Sequence, residues 1–465
     1  MNANNSLTLK RALNLVAAGL AGVAMSACGT PDVCSTQDGV TVCGTFGTRG
    51  YVSNVQAQGV TWPPIAVSDG RLLLAGHNDL VEIAPDGRVA TLVQAPGAVA
   101  VPSSDAQGGI YLLSGKDGGT TLQAYDPTTR TLRWSSHLDG SPVGTPAAIA
   151  GDNVFVATND GGSGATIWRV KSSDGTASTV HDGASPAVIA ADGTVRYLST
   201  PTGRDSLAQV PMFTTLVAED ASGKELWRHD ESAGIVDLAP GGNGETYVVT
   251  GTATGQDSHV LRRVNSNGDV AWTFRPDCGD CTVAAAPTVT GDTLYFPVWE
   301  TRQSKPIDPL YAIDTKTGVA RWTFDGFDNV SVSVSGAKML IPGSQNMVDK
   351  TTTRHHPAGR PVVAQDGTLF VASDGAVVAL DKNGQLLGFA QYDASAGEVS
   401  SNGFLTLGKW LNAGVRPSPV LGPDGTLYVS DGQTVRSFKT GRAASRTAWI
   451  APYGGPTNDG RAPGM

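Results

Sequence analysis

Through most of the chain, apolar and polar residues alternate in short runs broken by Gly, Asn and Asp. The stretch "LYAIDTKTGVARWTF" (310–324) shows the unit: an alternating run reaches Asp314, crosses a polar turn closed by Gly318, and resumes on Trp322. Period-two alternation around such a turn predicts a β-hairpin. "TVTGDTLYFPVWE" (288–300) supplies a second hairpin just before it, so each unit reads as four short strands. Units open near Gly70, Gly109, Asp152, Gly193, Gly244, Asp292, Gly367 and Gly425. Most steps are about forty to fifty residues, the period of a four-stranded propeller blade. "VSVSGAKMLIPGS" around Gly336 reads as half a blade. The expected fold is therefore all-β, a seven- or eight-bladed β-propeller of four-stranded antiparallel blades, with eight favoured. Strands from the two chain ends are expected to share one blade and close the ring. After the first 27 residues no heptads and no long amphipathic helical windows appear.

The large rings have a fixed place in the unit. Trp134, Trp227, Trp272 and Trp322 follow Asp126, Asp220, Asn265 and Asp314 by seven or eight residues, and Phe389 follows Asp381 in the same way. A blade cannot bury both faces of its sheet alone, so a ring on the outer strand is expected to fill the gap against its neighbour. These five residues are thus read as blade packing.

Composition fits this picture. The 58 glycines and 6% aromatic residues suit a turn-rich β protein rather than a helical one. A net charge of −9 argues against nucleic acid as a partner, because affinity there comes mainly from neutralised phosphates.

The first 27 residues carry no acid, a basic pair at Lys10 and Arg11, and the run "ALNLVAAGLAGVAMSA" ending at Cys28. That is the pattern of a secretory signal, too short for a span of about 20 strongly apolar residues. "MSAC" resembles the lipobox of bacterial lipoproteins, which implies lipidation (palmitate-type acylation) of Cys28. Gly29 after it favours the outer membrane; ordinary cleavage to a soluble periplasmic or secreted protein is the alternative. Of the five cysteines, lipid on Cys28 leaves two sequence-local pairs, Cys34 with Cys43 and Cys278 with Cys281, both expected to be oxidised outside the cytoplasm. The expected organisation is a signal at 1–27, a tether with a small disulfide loop at 28–60, part of which can complete a blade, and the propeller at 61–465.

Units of the form "LYAIDTKTGVARW" resemble the repeats of the pyrroloquinoline-quinone (PQQ)-like β-propeller superfamily, and "WIAPYGGPTNDGR" (449–461) resembles its closing segment in a worn form. The resemblance covers roughly residues 60–440. Some members are quinoprotein dehydrogenases. Others, such as the propeller lipoprotein of the outer-membrane β-barrel assembly machinery, are non-catalytic. In the dehydrogenases PQQ lies between a Trp floor and a disulfide of two adjacent cysteines, beside Ca2+. No adjacent Cys pair occurs here, so neither PQQ nor Ca2+ is expected and no residue is assigned a catalytic, cofactor-binding or metal-binding role.

Other candidate chemistry has plainer explanations. "CGDC" (278–281) lies between two strands and is read as a structural disulfide, with redox activity the alternative. His355 and His356 are neighbours on an extended segment, so their side chains point to opposite faces and suit a solvated loop better than a metal.

Insertions, in contrast, favour one end of the expected ring. First-to-second and third-to-fourth turns are minimal: "DGT", "TKTG", "SNGD". Long connections at 200–214, 251–259, 299–309, 344–360 and 392–418 belong to the other end. Long loops on one rigid face are where binding usually resides. Trp299, Arg302, Phe404, Trp410 and Arg416 are the candidate contacts, because exposed aromatic and Arg side chains are effective anchors. The expected function is a non-catalytic, protein-binding envelope scaffold, acting as a monomer within a complex and touching the membrane only through its lipid. A PQQ-dependent dehydrogenase and a surface carbohydrate or ligand binder are the alternatives.

Overall fold

The computed structural model describes most of residues 34–444, apart from gaps of up to five residues and the stretches 57–64, 205–210, 252–259, 301–308, 335–347 and 393–418. Its described residues form strands and turns, with no helix among them. They build eight antiparallel blades arranged in a ring. Blades 1 to 7 cover residues 65–94, 98–139, 141–184, 188–230, 235–274, 281–324 and 362–392 in order. Blade 8 combines 420–439 with strand Gly50–Gln56 from the other chain end. That strand pairs antiparallel with Thr434–Lys439, from Gly50↔Lys439 to Gln56↔Thr434, and closes the ring.

Burial follows position within a blade. Second and third strands are covered by the neighbouring blades on both faces, so Thr246–Thr250 and Ala376–Leu380 are buried at every residue. Outer strands Glu225–Asp230 and Ala320–Phe324 instead alternate between exposed and half-buried residues. Period-two alternation is the mark of a strand with one face in water. The apolar clusters run across blade seams: one joins Tyr295 and Leu310 of blade 6, Phe370 and Phe389 of blade 7, and Leu427 and Phe438 of blade 8.

Two segments depart from the sequence-based expectation. Within the expected tether, Cys34–Gln37 and Val40–Gly44 form a hairpin added to the outer edge of blade 7, whereas Gly50–Gln56 completes blade 8 as the chain-end strand expected to close the ring. Of the stretch read as half a blade, 335–344 lie outside the described residues, and its first three residues belong to a longer strand. Phe327–Val334 pairs with Val348–His355, from Phe327↔His355 to Val334↔Val348, as a two-stranded ribbon between blades 6 and 7. The segment 344–360, expected as a loop, therefore supplies a strand. Both differences have one cause, since alternation predicts a strand but not the edge it will join.

Candidate binding face

The turn end of the ring is committed to architecture. Asp314 caps its turn by accepting the Lys316 and Thr317 amides at 3.0 and 2.8 Å. Asp126, Asp220 and Asp381 do the same in blades 2, 4 and 7. Arg321 bonds Asp314 and, with the turn amides, holds its carboxyl well below the usual carboxylate range. The turns of blades 3, 5, 6 and 7 each receive an indole from the preceding blade. Trp272 of blade 5 donates Nε1–H to the Thr315 carbonyl of blade 6 at 2.8 Å, and Trp322 of blade 6 donates to the Lys382 carbonyl of blade 7 at 2.9 Å. Trp134 of blade 2 donates to the Ser172 carbonyl of blade 3 at 2.8 Å. A Cβ on Gly318 would lie 2.6 Å from Trp272, and one on Gly384 2.6 Å from Trp322. Both glycines have positive φ, +71° and +80°, so the turn and the seam require the same residue.

Trp227 departs from this pattern in its polar contact. It lies over Gly268 of blade 5 and under the Arg196 guanidinium, 4.7 Å from its ring, but its Nε1 finds no acceptor among the described residues. Arg196 is wholly buried and satisfied by Asp192, the Gly244 carbonyl and Thr246. Phe389 lies in the core shared by blades 7 and 8, opposite Cys43 and Val378.

At the other end the connections differ from blade to blade. In blade 4 the pairing of Val195–Arg204 with Pro211–Glu219 continues to Arg204↔Pro211, past the Thr215↔Asp230 pair where the outer strand stops. This two-stranded extension stands above the rest of its blade. The ribbon of 327–355 leaves from the same end, between blades 6 and 7. Long connections at 251–259, 301–309 and 393–419 belong to this half of the ring, whereas blades 1, 2 and 8 turn over in a few residues. Trp299 sits in strand Thr293–Glu300, opposite Thr282. Arg302, Phe404, Trp410 and Arg416 lie outside the described residues, as do Cys28, Cys278 and His356. Cys281 opens strand Cys281–Val283, and His355 ends the ribbon opposite Phe327.

Two polar groupings at this end are not legible as sites in the sequence. In the seam between blades 4 and 5, Glu231 takes Arg262 at 2.7 Å and lies 3.0 Å from His229 Nε2, while Arg262 also donates to Thr250. Closer to the axis, Asp237 stands in the inner strand Ile235–Pro240 of blade 5 and accepts the Leu238 amide at 2.7 Å. Burial pushes its carboxyl up to about 7, against the pull of Arg360 at the head of blade 7. An acid inside the apolar run "IVDLAP" is the one signal that could have singled it out.

The described residues do not assemble a PQQ–calcium site. Adjacent cysteines are absent from the sequence, and disulfide-bonded Cys43 sits on the outer edge of blade 7, away from the axis. The indoles of Trp134, Trp272 and Trp322 are spent on the next blade. No group of three or more His, Cys, Asp or Glu that could hold a metal occurs among the described residues.

The sequence family described as outer membrane protein assembly factor BamB matches residues 159–324 and 214–461, together more than half of the chain. Among solved structures, BamB from Moraxella catarrhalis aligns at 16% identity over 84% of this chain and 100% of that one, with a TM-score of 0.51. The Dos1 propeller aligns at 12% identity over 87% and 97% of the two chains, with a TM-score of 0.49. Apo AztD from Citrobacter koseri aligns at 13% identity over 79% and 88%, with a TM-score of 0.43. No curated protein matches the sequence.

Proposed function

Because the chain belongs to the family of outer membrane protein assembly factor BamB, we propose that it is a non-catalytic scaffold of the cell envelope that holds a protein partner on the loop end of its ring. The observation that carries this reading is the contrast between the two ends. One is consumed by repeated turn and seam contacts, while the other bears the extended hairpin of blade 4, the ribbon of 327–355 and the long connections between blades 5 and 8. Rigid blades that present variable loops are a common basis for recognition. Trp299, Arg302, Phe404, Trp410 and Arg416 are the proposed contacts, and Cys28 the proposed lipid anchor to the outer membrane. The chain acts as a monomer within its complex.

The test is crosslinking in the native envelope with the full chain and with a variant carrying minimal turns in place of 299–309 and 392–418. Loss of the captured protein from the variant is expected, and unchanged recovery overturns the proposed face. Detergent-phase partition of a Cys28→Ala protein checks the anchor, which fails if the variant partitions like the unchanged chain. Dye reduction with alcohols or sugars after adding PQQ and Ca2+ would overturn the non-catalytic reading.

A further inference from the structure

We infer that the turn end of blade 7 is the part of the ring held against the lipid surface, so that the loop end points away from the anchoring membrane. The inference rests on the lipid anchor at Cys28 proposed above and adds an orientation to it. A free tether from Cys28 to residue 60 would reach roughly 100 Å and let the ring tumble in any direction. The N-terminal hairpin removes that freedom. Val40–Gly44 pairs with the outer strand of blade 7 from Val40↔Tyr392 to Gly44↔Gly388, and Cys34–Gln37 pairs in turn with it, Cys34 opposite Cys43. Val42 and Cys43 are buried in the core of blade 7 with Val378 and Phe389, and Cys43 is disulfide-bonded. The hairpin is thus a fixed part of the blade. Only five residues lie between Cys28 and Cys34, a reach of about 20 Å at most.

Strand direction sets which end that reach starts from. Leu386–Tyr392 leaves the turn at 381–385 and runs to the loop end at Tyr392. Val40 is level with Tyr392, so Val40–Gly44 runs back toward the turn end. Cys34 pairs with Cys43 and Gln37 with Val40, so the chain enters Cys34–Gln37 from the turn end. The anchor therefore leaves the outer rim of blade 7 on the side opposite the long connections. Its neighbour there is the turn at 381–385, about two further strand spacings inward, or roughly 10 Å.

The experiment uses the lipid-modified full chain in phosphatidylethanolamine/phosphatidylglycerol vesicles that carry a nitroxide lipid. A fluorophore is attached through a click-reactive residue, leaving the native cysteines untouched, at one of three exposed positions. Asn383 is in the turn of blade 7, Ser173 in the equivalent turn of blade 3 across the ring, and Ser232 at the loop end between blades 4 and 5. Quenching at Asn383 is expected to exceed that at Ser173 and Ser232 at least threefold. A 20-residue Gly/Ser insertion between 29 and 33 should abolish the contrast. Flotation of the chain with equal quenching at all three positions, or with Ser232 quenched most, overturns the orientation while leaving the anchor intact. Vesicle flotation no better than that of Cys28→Ala overturns the anchor, and the orientation with it.

Discussion

At the turn end, Trp272 lies on Gly318 and Trp322 on Gly384 through the same contacts, while at the loop end the connections of those blades share neither length nor sequence. The difference shows where this chain separates holding itself together from meeting something else. A turn that receives an indole must present a bare Cα to it, so its residues are tied to a neighbour. The loop end carries no such duty, and length can accumulate there at little cost, because closing a longer loop adds only about 0.6 kcal/mol per doubling. Seams without a Trp support the distinction. Blade 1 offers none to blade 2, and there Arg130 takes the glycine position with φ of 59° and reaches Glu82 of blade 1 at 3.1 Å. Between blades 3 and 4, the Arg169 guanidinium approaches Gly223 in place of an indole.

The comparison can be broken most forcefully at an indole. Trp272→Ala should cost about 3 kcal/mol in chemical denaturation, near the lower end for such truncations because the ring is only partly buried, yet leave partner capture intact below the melting transition. Lost capture in a folded Trp272→Ala protein would show that the two ends are not independent.

Asp237 gives an effect of similar size through pH. Its folded pKa of about 7 lies above the 3.8 of an unburied Asp, so between those values the native state binds a proton that the unfolded chain does not. Stability should therefore fall as pH rises from about 4 to 7. Asp237→Asn should flatten that slope and be more stable than the unchanged chain at pH 8, by on the order of 2–3 kcal/mol. Parallel stability curves for the two proteins would remove the buried acid from the account.

Gly384→Ala probes the turn itself. Positive φ and a methyl pressed against Trp322 should together cost about 2 kcal/mol, readable as a lowered denaturation midpoint. Arg321→Gln should do least. Arg321 links Asp292 and Asp314 at the surface, and losing such exposed pairs should cost about 0.5 kcal/mol, diminishing further in high salt.

Much of the fold was legible because the turn end is local. Alternation around a tight turn recurs in all eight units, and in five of them an Asp or Asn before the turn and a Trp or Phe seven or eight residues on fall inside the same short window. The candidate face was legible only as an excess of length. Trp299 is placed in a strand, but which residues meet a partner depends on how connections from several blades come together, which no single window contains. Glu231, His229 and Arg262 illustrate the limit. They come from two blades and meet only because blade 4 stacks on blade 5.

By itself, then, the sequence determined the strand pattern, the four-stranded unit and the place of the large rings, since each follows from backbone geometry over a few residues. Tertiary structure decided between seven blades and eight, and it decided the ribbon of 327–355 outside the blades and the capture of 34–44 by blade 7. The physical reason is that a strand's unpaired backbone groups must find an edge, and any open edge of suitable register will serve. Which one is available depends on where the rest of the chain has already gone.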